Sequence, residues 1–369
     1  MSSFNWMDKR GAEGIPLIRT LRVMLTNHLP EVFPQIRRSM SALMDNEIDS
    51  APKLEDGKTM TPKLYHIIIK AIAHSNALAF FGEDLAKNEK FMKAAMTFIE
   101  QTLLIAEILR LLPQFLSEPI GKFLSNKLNS SSVIFDTLLP VAAERVDEYS
   151  RAKLGHKVPE HRPKKQPLDG RKDRLRAHCL MVGSVHITST TVCFAIHDLC
   201  LHPEYVEPLR KEIEATGWET FEKSGGKCFP LLDSFMKESA RITPVESVST
   251  RRMALEPFKL SDGTAVNPGE WIVTAARGMA MDSSVFSKPN DFQGFRFADP
   301  AVVAKIDSRP SFSAGDKSSD FTSISDWQLW GTGSPGRFYV TAVMKAMLGL
   351  LIARYDMQLT DPGAARYFA

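Results

Sequence analysis

Most of the chain carries helical periodicity, interrupted by a short region of a different texture. From Leu17 to Asp45 apolar residues recur at helical spacing, and Pro30 and Pro34 are expected to break that run. Pro62 to Phe81 (PKLYHIIIKAIAHSNALAFF) predicts a strongly apolar helix. Asn88 to Leu112 predicts another, ending at Pro113, and Pro119 to Asn129 and Val133 to Leu154 predict two more. The longest uninterrupted stretch is Arg174 to Leu201, which stops at His202-Pro203. It is apolar on nearly every face, as suits a helix through the middle of a domain. It is also rich in Ser and Thr, which in a buried helix bond back to the preceding turn or face a cavity.

After Ser234 the texture changes. Phe258 to Ile272 (FKLSDGTAVNPGEWI) alternates around an Asp262-Gly263 turn and predicts a β-hairpin. Residues 299–326 are rich in Ser and Asp and read as a surface loop, and Phe338 to Tyr355 predicts a last amphipathic helix. The expected fold class is mainly α with a small β region. One domain over residues 1–369 is expected, with 1–16 flexible and 160–174 and 299–326 as surface loops.

Composition narrows the picture. The 369 residues are 44% hydrophobic and 24% charged, ordinary for a soluble globular chain with a large core. A net charge of +3 does not argue for nucleic acid as a partner. The basic stretch His161 to Arg176 contains prolines and a glycine and reads as a solvated loop. No run of eighteen apolar residues predicts a membrane span, and the start (MSSFNWMDKRGAEG) has no apolar signal core, so a cytoplasmic setting is expected. The four cysteines (Cys179, Cys193, Cys200, Cys228) lack metal-type spacing. Cys193 and Cys200, seven apart on one predicted helix, fit packing on one face rather than a disulfide. No metal site is expected.

The chemistry rests on the segment Trp330-Gly331-Thr332-Gly333-Ser334-Pro335-Gly336-Arg337-Phe338. It resembles the haem loop of the cytochrome P-450 family, Phe-Gly-x-Gly-x-x-x-Cys-Pro-Gly-Arg, with two departures. Serine stands at the position of the ligating cysteine, and three residues before it are missing. Other blocks resemble the family's fungal branch in the family's order. These are Pro203 to Ile213, Leu232 to Arg241 with the Glu-x-x-Arg pair Glu238 and Arg241, Leu260 to Gly269, and Asp291 to Phe297 with Arg296. The resemblance covers most of residues 175–358 and implies a truncated P-450-like fold. Glu238, Arg241 and Arg296 are then a structural ion-pair cluster. By the same resemblance, counterparts of the family's membrane anchor and first strands are not expected.

The resemblance also implies what has changed. A thiolate axial ligand supplies the electron donation that cleaves dioxygen, and a neutral hydroxyl does not. On the central helix Gly183-Ser184-Val185-His186-Ile187-Thr188 aligns with the family's oxygen-activating turn. His186 takes the acid position and Ile187 replaces the proton-relay threonine. No cofactor is therefore expected, and Trp330, Gly331, Gly333 and Ser334 form a vestigial haem loop. The expected function is a haem-free cyclase of fungal terpenoid metabolism. It would be a pericyclase or intramolecular Diels–Alderase holding an apolar polyene in a reactive conformer, for instance toward a bridged diterpenoid of the sordarin kind. His186 and Arg251 are the expected catalytic hydrogen-bond donors, with Gly183, Ile187, Thr190 and Val245 binding substrate. Arg251 takes the position of a family arginine that pairs with a haem propionate. Two other readings stand beside this one: a non-catalytic pseudo-enzyme that binds a metabolite or an active monooxygenase, and a serine-ligated haem protein. An apolar small molecule, a terpenoid or a polyketide, is the expected ligand, and the truncated face offers a place for a protein partner or a second copy.

Overall fold

The computed structural model describes residues 25–153, 172–306, 311–315, 318–323, 334 and 336–361. It divides into two compact units. The first gathers residues 1–37, 52–61 and 190–369, and the second gathers 38–51 and 62–189. Helix α1 (Thr26–Asp49) and helix α7 (Lys172–Leu201) each contribute residues to both.

The second unit is helical throughout. Besides its share of α1 and α7 it contains α2 (Leu64–Phe80), α3 (Glu83–Ala86), α4 (Glu89–Arg110), α5 (Gln114–Leu128) and α6 (Ser130–Lys153). Helix α2 forms because Ile67, Ile68, Ile69, Ala71, Ile72 and Ala73 bury together, which outweighs the modest helix propensity of the β-branched isoleucines. Helix α4 starts where the Asn88 side chain accepts a hydrogen bond from the Phe91 N–H, an N-cap that satisfies one open donor. Helix α5 ends on Asn129 in the left-handed conformation (φ 59°), a residue type that tolerates it.

The prolines behave differently from the expectation. Pro30 and Pro34 lie inside α1, which is continuous. Pro30, the fifth residue of the helix, forgoes one intrahelical bond, as Pro34 does. Along the same helix Leu29, Phe33 and Ile36 in the first unit, and Met40, Met44 and Ile48 in the second, are buried and offset the bond lost at Pro34. Helix α5 begins at Gln114, with Pro113 as its cap and Pro119 inside, so its start signal is the earlier proline.

The first unit holds the rest: a 3₁₀ turn (Pro203–Tyr205), α8 (Val206–Thr216), α9 (Trp218–Lys223), α10 (Pro230–Ile242), β1 (Ser249–Met253), β2 (Phe258–Lys259), β3 (Ala265–Val266), β4 (Trp271–Thr274), α11 (Ala276–Ala280), α12 (Pro300–Val303) and α13 (Arg337–Arg354). The hairpin appears as β2 paired antiparallel with β3, and Gly263 at its turn has φ +89°. The flanking strands β1 and β4 pair with each other in register Arg252 with Ile272 and Met253 with Trp271.

Helix α13 is buried on almost every face rather than amphipathic. Residues 299–326 are more than surface loop. They include α12, and Phe321 is 1% exposed, its N–H bonded to the Asp233 carboxylate. Residues 1–16, and the part of 160–174 before Lys172, lie outside the described residues.

Candidate functional site

Helix α7 carries the residues that the sequence places near chemistry. Val185, Thr188 and Ser189 are buried, while Ile187 is 52% exposed. The Ser189 hydroxyl donates to the Val185 carbonyl at 2.7 Å, so this serine bonds back to the preceding turn. His186, between them, is partly buried. Its Nδ1 lies 3.0 Å from the Tyr65 hydroxyl, in the first turn of α2. Its Nε2 is shielded from solvent and has no hydrogen-bond partner among the described residues. Gly183 lies one turn earlier on α7, where side-chain surroundings fall outside the description.

The other expected site residues stand elsewhere. Thr190, partly buried, begins the share of α7 that belongs to the first unit. Val245 (39% exposed) follows α10, and Arg251 is exposed on β1 with its carbonyl accepting from the Arg252 guanidinium at 2.9 Å. Tyr65, His186 and Ile187 thus share one unit, and Val245 and Arg251 belong to the other. In the second unit a cavity of ≈ 30 Å³ is lined by Phe98, Thr102, Ile105 and Leu128. It would hold a water molecule and is far too small for a terpenoid.

Glu238, Arg241 and Arg296 form one buried network, with exposures of 0%, 0% and 4%. Arg241 donates from Nε and Nη2 to the two Glu238 oxygens at 2.7 and 2.8 Å, the bidentate fork that a guanidinium makes best. Arg296 Nε is shared between the same oxygens at 3.1 and 3.0 Å, and the Gln293 N–H adds a further bond at 3.0 Å. The remaining guanidinium N–H groups reach carbonyls of Ala280 and Pro289 from Arg241, and of Ser287, Lys288 and Asp291 from Arg296. Every group in this set works on backbone and core, and none is left to meet a small molecule.

Several buried polar contacts carried no signal in the sequence, because their partners are remote along the chain. Lys237 donates to the Ser319 hydroxyl at 2.6 Å and the Asp320 carbonyl at 3.0 Å. Lys345 pairs with Asp233 at 2.7 Å. Glu212 receives the N–H groups of Leu231 and Leu232 at 2.7 and 3.0 Å and so caps α10 from another helix. Burial pushes the Glu212 carboxyl up to about 7 against the opposing pull of those two bonds and of Lys345.

The segment with the damaged loop pattern is described only at its C-terminal end. Trp330, Gly331 and Gly333 lie outside the described residues, and Ser334 is partly buried. The Ser334 carbonyl accepts from the Arg337 N–H at 3.3 Å and from its Nη1 at 3.0 Å, while Arg337 Nε bonds the Thr322 carbonyl at 2.9 Å. One guanidinium therefore ties positions 322 and 334 to the start of α13. At the position aligned with the family's axial ligand the chain has the Ser334 hydroxyl, which lacks the electron donation of a thiolate. The last cysteine in the sequence is Cys228, and its thiol is directed to the Thr220 carbonyl at 3.9 Å.

Comparison with known proteins adds the family. The family model described as Cytochrome P450 matches residues 12–318. Cytochrome P450 monooxygenase olcJ of Penicillium canescens is 30% identical over 96% of this chain and 67% of its own length. Ent-kaurene oxidase P450-4 of Gibberella fujikuroi is 27% identical over 88% of this chain and 66% of its own length. The chain thus spans about two thirds of the length of these curated relatives. Among solved structures, retinoic acid bound cyanobacterial CYP120A1 matches 94% of this chain and 73% of its own, with a TM-score of 0.63 at 18% identity, which speaks to fold. Among the described residues no helix is long and apolar enough to cross a membrane.

Proposed function

The chain belongs to the cytochrome P450 family, and from that premise we propose that it works without haem, as a cyclase that closes an apolar terpenoid polyene by intramolecular [4+2] cycloaddition. One observation carries this reading: a hydroxyl, on a loop three residues short, stands at the position where the family's chemistry needs a thiolate. Ile187 at the proton-relay position points the same way, since it has no proton to pass. The ion-pair network beneath is intact, so the family's core is kept while its oxygen chemistry is dispensed with.

A cycloaddition suits such a chain because it asks for no electron donor. Three π bonds are exchanged for one π bond and two σ bonds, with no net oxidation and no proton transferred. The protein has to fold the substrate so that the reacting carbons meet; the tether already makes the reaction unimolecular, and the protein's part is to hold the near-attack conformer. A hydrogen-bond donor to a carbonyl conjugated with the dienophile lowers the barrier further, by about 2–4 kcal/mol when the donor is preorganised. His186, whose Nε2 is buried and has no partner among the described residues, is the donor favoured here, and Arg251 is a second. Gly183, Ile187, Thr190 and Val245 are assigned to substrate contact. The terpenoid class is taken from the relative named for ent-kaurene, a diterpene hydrocarbon.

The test has two steps. Protein from haem-supplemented cells is titrated with hemin, and its visible spectrum is recorded with and without carbon monoxide. The expected result is no Soret band at stoichiometric hemin from a cooperatively folded protein. Linear and monocyclic polyenes bearing a conjugated carbonyl are then incubated with it, without NADPH and under nitrogen. Acceleration of a cyclisation, reduced in His186→Ala, is expected. A stoichiometric haem complex would overturn the haem-free reading. A colourless protein that accelerates no cyclisation would leave the metabolite-binding pseudo-enzyme in its place.

A further inference from the structure

We propose that Tyr65 is the positioning residue of His186: its phenolic O–H donates to Nδ1 and holds the ring in the tautomer that carries its proton on Nε2. The geometry comes from two helices of the same unit that meet near the surface, with Tyr65 43% exposed and His186 half-buried. Tyr65 is in the first turn of α2, fixed by the isoleucines packed one turn further on, and His186 is in α7 between buried Val185 and buried Thr188. The two residues are 121 positions apart in sequence and meet at 3.0 Å.

Either atom of this pair could in principle donate, and chemistry decides between them. A phenol is a stronger donor than an imidazole N–H, and the bare imidazole nitrogen is a stronger acceptor than a phenolic oxygen. The favoured arrangement is therefore Tyr65 O–H to bare Nδ1, which leaves the proton on Nε2. Donation into Nδ1 also polarises the ring and strengthens Nε2–H as a donor. That N–H has no protein partner among the described residues and is shielded from water. A buried donor in this state costs free energy until an acceptor reaches it. The acceptor it fits is a neutral carbonyl oxygen, and resting on the cyclase reading, the substrate class is a polyene whose dienophile is an α,β-unsaturated aldehyde, ketone or ester. In the opposite tautomer Nε2 would be an acceptor and would repel the same carbonyl.

The proposal is tested on the whole chain by nitrogen-15 NMR, with no substrate present. Histidine-labelled wild type, Tyr65→Phe, and protein with 3-fluorotyrosine at position 65 are compared at neutral pH, the His186 signals being those absent from His186→Gln. In wild type a pyrrole-type Nε2 and a pyridine-type, hydrogen-bonded Nδ1 are expected. Tyr65→Phe should move Nδ1 toward the shift of a free pyridine-type nitrogen. Fluorotyrosine, a more acidic phenol, should move it the other way, and tests the same bond should Tyr65→Phe fail to fold. Finding the proton on Nδ1 in wild type, or the same Nδ1 shift in all three proteins, overturns the proposal. With a cyclising polyene in hand, Tyr65→Phe should lower kcat about tenfold with KM little changed. A protein that passes the NMR test and cyclises nothing overturns the functional reading and leaves the tautomer assignment standing.

Discussion

Replacing Glu238 by glutamine isolates the energetics of the buried network. The two Glu238 oxygens receive Arg241 through Nε and Nη2, Arg296 through a shared Nε, and the Gln293 N–H. Glutamine is nearly the same size, keeps one acceptor oxygen, and turns the other into an NH₂ facing a guanidinium. The change removes one negative charge between two positive ones at exposures of 0% and 4%. At least one charge-assisted bond becomes a donor–donor clash. Breaking a buried pair in this way costs about 3–5 kcal/mol. In a chain of 369 residues that corresponds to a fall in Tm of about 4–6 °C. Urea unfolding followed by tryptophan fluorescence reads the first quantity and calorimetry the second. Glu83→Gln, which removes an exposed i,i+4 pair with Lys87, serves as the control and should leave both unchanged. A loss below about 1 kcal/mol for Glu238→Gln would refute the reasoning, because it would mean the two guanidinium groups find water or other acceptors at little cost.

Two further outcomes follow from burial. The native Glu212 carboxyl, raised to about 7 from an unfolded value of 4.5, binds its proton more tightly than the unfolded chain does. Its contribution to stability is therefore fully present below the unfolded value and is lost as pH rises to about 7. Comparing urea midpoints at about pH 5 and about pH 8 should show that decline in wild type and a flatter profile in Glu212→Gln; equal slopes would sink the assignment. Burial pushes the Cys193 thiol up to about 12, so iodoacetamide at about pH 8 should label it only on unfolding, and fast labelling in the native protein would contradict the structure.

What could be read from the sequence follows the range of the interactions. Helices α2, α4, α6, α7 and α13 lie within a few residues of their predicted bounds, because each carries its periodicity locally over four turns or more. The hairpin was legible because its turn chemistry is local at Asp262 and Gly263. The pairing of β1 with β4 was not, since the strands are short and separated by the hairpin. Prolines misled where tertiary burial outweighed a lost bond, as at Pro34. Glu238, Arg241 and Arg296 could be named only through resemblance to a family pattern, since no spacing rule brings residue 296 to residue 238. Tyr65 had no signal at all: it is one aromatic residue in an apolar helix, and its partner is far along the chain.

The tie made by Arg337 bears on how such a chain could have lost part of a loop and kept its fold. Positions 322 and 334 are held by the same guanidinium, at 2.9 and 3.0 Å, so the two carbonyls are joined at one point at the start of α13. Where the two ends of a segment are joined, its length enters through closure entropy, which grows with the logarithm of that length. Three residues in about a dozen amount to about 0.2 kcal/mol on that scale. In an evolving lineage the ligand loop is a part that can be shortened and re-lettered while the core goes on being selected, and a scaffold built this way is free to change its chemistry before its shape.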